Sequence, residues 1–441
     1  MTTPKQQLRE ILTVYLSNKQ NDMEVEAKFG KIKPISRSDF DNIAKYILSK
    51  GWKIRQDEYM LRIGQEDMRG EIKGIHNISE YCRTDSIKDA NGEMIDITFM
   101  EKAYYKKEKT YYPVDFDDFN FRVSMHSEKE KRDVDANGWA DKKKTFRFIR
   151  RNKFVHEDYP FVVDMSIVKT SKKQGKDYVP EYKFKDSGVV ESLETYEVEI
   201  EMLNDKVDEL GMDVDVLEHR FKQAITHVLS GLQGTAYPIS YTEQKKVLDE
   251  YMNILWEKQN KPHVIQSRHF VGPSSLTLQM QNIRSIEEDS ALPNIRNNYT
   301  VTDKADGDRK LLYISSTGKL YFIDTNMNVQ STGSKTDNKE VYNTVLDGEH
   351  ILHNKKGQYI NLYAAFDIYY LNKKDVRMLE FVLDSTECRL SLLTKCVNSL
   401  DVKSVINEKS VVRIETKRFL METEKQNIFN SCMHVLQKQK E

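Results

Sequence analysis

The chain has 441 residues, 39% hydrophobic and 31% charged, with 68 basic and 69 acidic side chains for a formal net charge of −1. This supports a folded core under a polar surface, in two or three domains, and excludes a uniformly basic nucleic-acid binder, so any cationic surface is local. The four cysteines, Cys82, Cys388, Cys396 and Cys432, form no C-x-x-C pair and stand in no H-C-x5-R arrangement, which argues against zinc, redox and cysteine-phosphatase chemistry.

In chain order, residues 5–17 place Leu8, Ile11, Leu12 and Tyr15 at helical spacing, and MEVEAKF (23–29) then alternates as a strand does. Ser38 and Asp39 mark the start of a second helix that stops near Gly51. From about 53 to 202 the pattern is short strands with charged alternating faces, among them 121–129, 144–156, 161–169 and 196–202, with DANG turns at 89–92 and 135–138. A helix follows over 215–232, and TAYPIS (235–240) reads as a boundary. The expected division is 1–236, a linker helix within 237–257, and 258–441, where apolar strands are flanked by helices. The N-terminus is charged and no segment is apolar enough to span a membrane, so a soluble intracellular chain with no membrane partner is expected.

Residues two apart in a strand share a face. Glu24, Glu26 and Lys28 therefore point one way, and Glu197, Glu199 and Glu201 do the same 170 or so residues later. Their partners Val25, Phe29, Val198 and Ile200 are apolar, which predicts that the helices cover that side and the carboxylates turn inward. Massed carboxylates repel, and a hard divalent cation such as Mg²⁺ or Mn²⁺ removes the conflict. Between the acidic strands, Arg147, Arg151 and Lys153 share a face, as do Arg122 and Ser124, with Arg83, Asp164 and Lys169 as further candidates. Base facing acid would hold a polyanion bridged by metal. For one E-x-E strand, an ordinary solvated outer face is the better reading; two such strands bracketing one β-rich segment reverse that preference.

E-x-E-x-K near the start and E-V-E-I-E near the end resemble the triphosphate tunnel metalloenzymes, in the form found in RNA triphosphatases of fungal and viral capping systems. The resemblance implies an eight-stranded antiparallel β tunnel with flanking helices. It implies metal at Glu24, Glu26, Glu199 and Glu201, with Glu197 beside them. The triphosphate of an RNA 5′ end would be held by Lys28, Arg83, Arg122, Arg147 and Lys169, with Arg151 and Lys153 catalytic.

YTVTDKADGDRKLLYI (299–314) contains K-x-D-G-x-R as Lys304, Asp306, Gly307 and Arg309. A lysine amine attacks an α-phosphate once deprotonated, and a glycine permits close approach. A surface turn is the bland alternative, since D-G is a common turn dipeptide. VLDGEHI (345–351) and YAAFDIYYLN (363–372) follow, and the series resembles the covalent nucleotidyltransferases: capping guanylyltransferases and polynucleotide ligases. The resemblance implies GTP as substrate, Lys304 as the nucleophile, and nucleotide contacts from Asp306, Gly307, Arg309, Glu349, Tyr363, Phe366 and Asp367. Tyr363 or Phe366 would stack on the base, and Asp367 would lie near metal. FVGPSSLTL (270–278) resembles the entry to such a domain.

Motifs resembling E-G-(L/I) and K-x-K are not read after RLSLLTK (389–395), nor is an OB-fold. The second unit is expected to be an incomplete, ligase-like α+β nucleotidyltransferase domain. The order of the two units resembles capping enzymes of large cytoplasmic DNA viruses, which implies a host-cytoplasm, viral-factory or virion location. It also implies a further C-terminal part or a methyltransferase domain or subunit as partner. A ligase with an unusual N-terminal domain, or a non-catalytic RNA-binding scaffold, are the competing expectations.

Overall fold

The computed structural model describes every residue except 1–2, 19–21, 66–67, 90, 132–137, 257–261, 263, 286–291, 383–386, 406–411, 422–426 and 439–441. The DANG turn expected at 135–138 lies mostly outside the described residues. The chain separates into two compact units, Met1–Gly234 and Thr235–Glu441.

In the first unit eight strands close on themselves. They are β1 (Met23–Phe29), β2 (Lys53–Gln65), β3 (Met68–Lys73), β4 (Ile97–Tyr104), β5 (Phe121–Glu130), β6 (Thr145–His156), β7 (Tyr159–Thr170) and β8 (Thr195–Met202). Around the barrel the order is β1-β8-β7-β6-β2-β3-β4-β5, and β5 pairs back to β1. The pairings are antiparallel throughout, with Glu26 opposite Glu201 and Lys28 opposite Glu199 on one side of β1. On its other side Glu24 faces His126 and Glu26 faces Ser124. Closure satisfies every strand edge and lets one face of the sheet turn wholly inward.

The outer face explains which side that is. Helices α1 (Pro4–Asn18) and α2 (Arg37–Ser49) bury Leu8, Ile11, Leu12 and Tyr15, and Phe40, Ile43 and Ile47. A long helix, Val214–Gln233, buries Leu217, Phe221, Ala224 and Val228. These join Val25, Ala27, Phe29, Val163, Met165, Val198 and Ile200 in one hydrophobic cluster. The apolar parity of β1, β7 and β8 is thus consumed by helices, and the charged parity lines the interior.

Helix α2 is capped by Ser36, reciprocally with Asp39, so it begins two residues before the Ser38–Asp39 start expected. Gly231 permits the long helix to approach α2 closely: an added Cβ would sit 2.6 Å from the Ile43 Cα. One helix, Ile75–Thr84 (α3), interrupts the region read as strands alone.

The second unit is an eight-stranded sheet whose main strands are β9 (Asp308–Ile314), β10 (Lys319–Asp324), β11 (Val329–Lys335), β12 (Thr344–His353) and β13 (Tyr359–Leu371), in spatial order β13-β12-β9-β10-β11. A last strand, β14 (Arg413–Thr416), runs parallel to β13. Helix Tyr241–Leu255, expected as a connector, packs Val247, Tyr251 and Met252 on one face with Leu311, Tyr313 and Val345. Helix Arg389–Asn398 covers the other with Leu393 and Cys396 against Leu312, Leu346 and Ile368. The DGE and FD motifs sit mid-strand, with register shifts between Asp347 and Gly348.

Candidate functional site

Inside the barrel the two acidic rows lie side by side. Lys102 on β4 donates to Glu24 Oε2 at 2.5 Å and stands 3.0 Å from Glu128 and 3.5 Å from Glu26. Lys28 donates to Glu199 Oε1 at 2.5 Å, with Glu197 at 4.0 Å. Arg147 reaches both oxygens of Glu197, at 2.8 and 2.9 Å. Arg151 lies 2.8 Å from Asp164 and 3.8 Å from Glu199. Lys153 stands opposite Asp164 in register, and Ser124 donates to Glu26 at 3.2 Å.

The fields in this lining are strong and uneven. Burial pushes the Glu24 carboxyl up to about 9, with Glu26 and Glu128 adding to the rise against Lys102. Burial raises Glu201 to about 7, helped by Asp164. Burial acts the same way on Glu199, yet Lys28, Arg151 and Arg62 outweigh it and hold the group at about 2. Burial and Lys102 push His126 down to about 4. At Glu24 and Glu201 the nearby positive charge is therefore too little to offset burial, and both carboxyls sit above the usual carboxylate range.

That shortage, and an all-oxygen donor set from β1 and β8 in adjacent register, fit a hard divalent cation. Among the described residues, however, no three Asp, Glu, His or Cys side chains converge into a metal-holding group as they stand. Lys102 and Lys28 engage the carboxylates instead.

Several expected phosphate holders lie elsewhere. Arg83 is exposed on α3, outside the barrel. Lys169 has the parity opposite to Asp164 and donates to the Val190 carbonyl at 2.8 Å on the outer surface. Arg122 has the inward parity but is held at the end of β5 by Asp115, at 2.7 Å. Conversely, Lys102, His126, Glu128, Arg62, Arg69 and Glu71 line the interior and were missed. Arg62 and Arg69 stand 2.8 and 3.0 Å from Glu71. Their signal was the same period-two alternation, in 58–73, 97–104 and 121–130.

In the second unit Lys304 is exposed on the loop before β9. Burial raises the Glu349 carboxyl, and Lys417, Lys304 and Arg309 oppose that rise, which sets these groups around one spot. Lys417, also missed, donates to the Asp303 carbonyl at 2.6 Å and so ties the chain after β14 to the lysine loop. Gly307 admits the β12 backbone: a Cβ there would lie 2.7 Å from the His350 carbonyl oxygen. Asp306 is exposed beside it.

Arg309 is gripped by Asp347, at 2.5 and 3.2 Å, and donates to the Pro273 carbonyl at 2.7 Å. Asp347 is fully buried and also accepts from Tyr369 at 2.7 Å. Phe270 and Phe366 lie 5.4 and 5.8 Å from the guanidinium. Phe366 thus stands on the same face as Arg309. Tyr363 does not: it is completely buried on the opposite face, its hydroxyl on the Lys310 and Leu346 carbonyls, so it cannot stack on a base. Asp367 is paired with Arg389 at 2.8 Å, which supplies its counter-charge without a metal.

Residues 238–440 match the family described as mRNA capping enzyme, catalytic domain. That match lies within the second unit. A probable mRNA-capping enzyme of Acanthamoeba polyphaga mimivirus is 29% identical over 182 residues, 41% of this chain. The aligned segment spans 13% of that relative's own length. The RNA triphosphatase domain of a trifunctional mimivirus capping enzyme aligns over 52% of this chain and 99% of its own, at 16% identity and a TM-score of 0.36. The S. pombe Pct1 RNA triphosphatase aligns over 50% and 90%, at 12% identity and 0.32. The closure of the first unit rests on its own strand register. Among the described residues, no helix is long and apolar enough to cross a membrane.

Proposed function

We propose that the chain carries two consecutive steps of mRNA capping. In the first unit, water attacks the terminal phosphorus of a 5′-triphosphate RNA, the bond between that phosphorus and the β–γ bridging oxygen breaks, and inorganic phosphate and a 5′-diphosphate end leave. The observation that carries this reading is the inward convergence of Glu24, Glu26, Glu199 and Glu201 with Lys28, Arg147, Arg151 and Lys102. The basic groups bind and orient phosphate oxygens in a water-poor interior, where their charges count for more. Glu24, Glu26, Glu199 and Glu201 would hold a divalent cation, Mg²⁺ or Mn²⁺, which polarises the terminal phosphate and helps position water.

The second unit, by its similarity to the capping-enzyme catalytic domain, takes the resulting diphosphate end. Lys304 forms a phosphoramidate with the α-phosphate of GTP, releasing pyrophosphate, and the RNA diphosphate then displaces the lysine. Lys304 stands on an exposed loop with Glu349, Lys417 and Arg309 around it, open to a nucleotide. A phosphate-release assay on 5′-triphosphate RNA, with and without divalent metal, tests the first step. Metal-independent or absent release overturns it. Labelling of Lys304 by GTP and not ATP separates a guanylyltransferase from a ligase.

A further inference from the structure

At the end of the inward face of β4, two tyrosines stand clear of the core. Tyr104 is 43% exposed and Tyr112 is 69% exposed, although each is a large ring. Neither position is explained by packing. Their sequence neighbours Tyr105 and Tyr111 face the helices and join the hydrophobic cluster, 6.0 Å apart. The turn between them is held by the Tyr111 amide on the Tyr105 carbonyl at 3.0 Å. That turn fixes Tyr112 in place while leaving its ring to solvent.

Tyr104 connects this ring to the tunnel. It pairs with His126 across the β4–β5 ladder and stacks on the imidazole at 5.2 Å and 24°. His126 in turn faces Glu24 in register and lies 3.5 Å from Glu26. Tyr112 meets Tyr104 in an edge-to-face pair, at 6.0 Å and 61°, and most of its ring surface remains open to solvent. Lys102, which contacts Glu24, is one same-face step of about 6.6 Å along β4 from Tyr104. The separation from the acidic rows to Tyr112 is therefore of the order that a triphosphate and a ribose place between a terminal phosphate and its base.

We propose that Tyr112, braced by Tyr104, is the platform on which the 5′-terminal base of a triphosphate RNA stacks while its phosphates lie among Lys102, Lys28 and the acidic rows. Base–aromatic stacking tolerates any base, because each has a π-face, and it gives nothing to a substrate without one. The pair thus selects nucleotide ends over inorganic polyphosphate. This rests on the triphosphatase reading above.

The test compares kcat/KM for 5′-triphosphate RNA and for inorganic tripolyphosphate, with divalent metal, in the full chain and in its Tyr112→Ala and Tyr112→Phe variants. Tyr112→Ala should lower the ratio of the RNA value to the tripolyphosphate value about tenfold, through KM, and Tyr112→Phe should restore it. A ratio that stays the same, or a phenylalanine that fails to rescue, overturns the platform while leaving the triphosphatase reading intact. Release from neither substrate by the unaltered chain overturns both.

Discussion

The two units keep their charged groups by opposite means. In the barrel unit, acid and base face each other across a closed interior, and nearly every inward carboxylate described above touches a lysine or arginine. In the sheet unit, Arg309, Asp347 and Glu349 share one face of an open sheet. One ion pair there, Arg309–Asp347, has two aromatic rings beside its guanidinium, while the nucleophile candidate Lys304 is left on a loop. The first arrangement is rigid by architecture: the helices claim one parity of each strand, and the remaining parity has nowhere else to go. The second depends on a few side chains and on loops that hold them. A site built from alternation is spread over many strands; a site built from a motif is compact and rests on its anchors.

The largest loss is expected in the barrel. Glu26→Ala or Glu199→Ala should lower metal-dependent phosphate release by about 100-fold or more while leaving the far-ultraviolet circular dichroism unaltered. Near-normal rates in both would remove the acidic rows from the chemistry. In the sheet unit, Arg309→Ala strands the buried Asp347 carboxylate with Tyr369 alone, and should cost about 3–5 kcal/mol in denaturant unfolding of that unit. A loss under 1 kcal/mol would mean that the pair is not an anchor.

A separated barrel unit, residues 1–234, has its own hydrophobic core and should retain phosphate release. Saturating Mg²⁺ or Mn²⁺ should raise its melting temperature by roughly 5 °C, from linkage of about 2–3 kcal/mol. Glu24→Gln with Glu201→Gln should abolish that rise; a rise that persists would place the cation elsewhere. The smallest effects belong to the outward cations. Arg83→Ala and Lys169→Ala should leave phosphate release within about twofold and stability within roughly 0.5 kcal/mol, and a tenfold loss in either would mean that the outer surface takes part.

Much of the barrel was legible because its rule is local. Glu24, Glu26 and Lys28 alternate with Val25, Ala27 and Phe29, and burial follows that alternation residue by residue. The same rule should have excluded Lys169, five residues from Asp164 and so on the other face. It should also have found Lys102, two residues before Tyr104 in ITFMEKAY. Register was not legible: that Glu26 stands against Glu201, and Lys102 against Glu128, depends on which strands neighbour one another. In the sheet unit, the lysine motif marked the candidate site, but the bulge at Asp347–Gly348 shifts the parity of β13 relative to β12. Tyr363 and Phe366 are three residues apart, so alternation alone parts them; what the motif did not show is that Asp347, the first letter of D-G-E, is the partner of Arg309.

The stave that closes the barrel is also the first one synthesised. Lys28 on β1 finds Glu199 171 residues later, so β1 cannot complete its second ladder until β8 exists. Loop closure over that distance makes such pairing slow. Until then, a nascent chain shows the open edges of β1 and β7, and Lys28 and Arg147 lack their β8 carboxylates. Trimming the N-terminus as far as β1 would leave β5 and β8 without their shared neighbour, and the resulting open sheet is expected to aggregate.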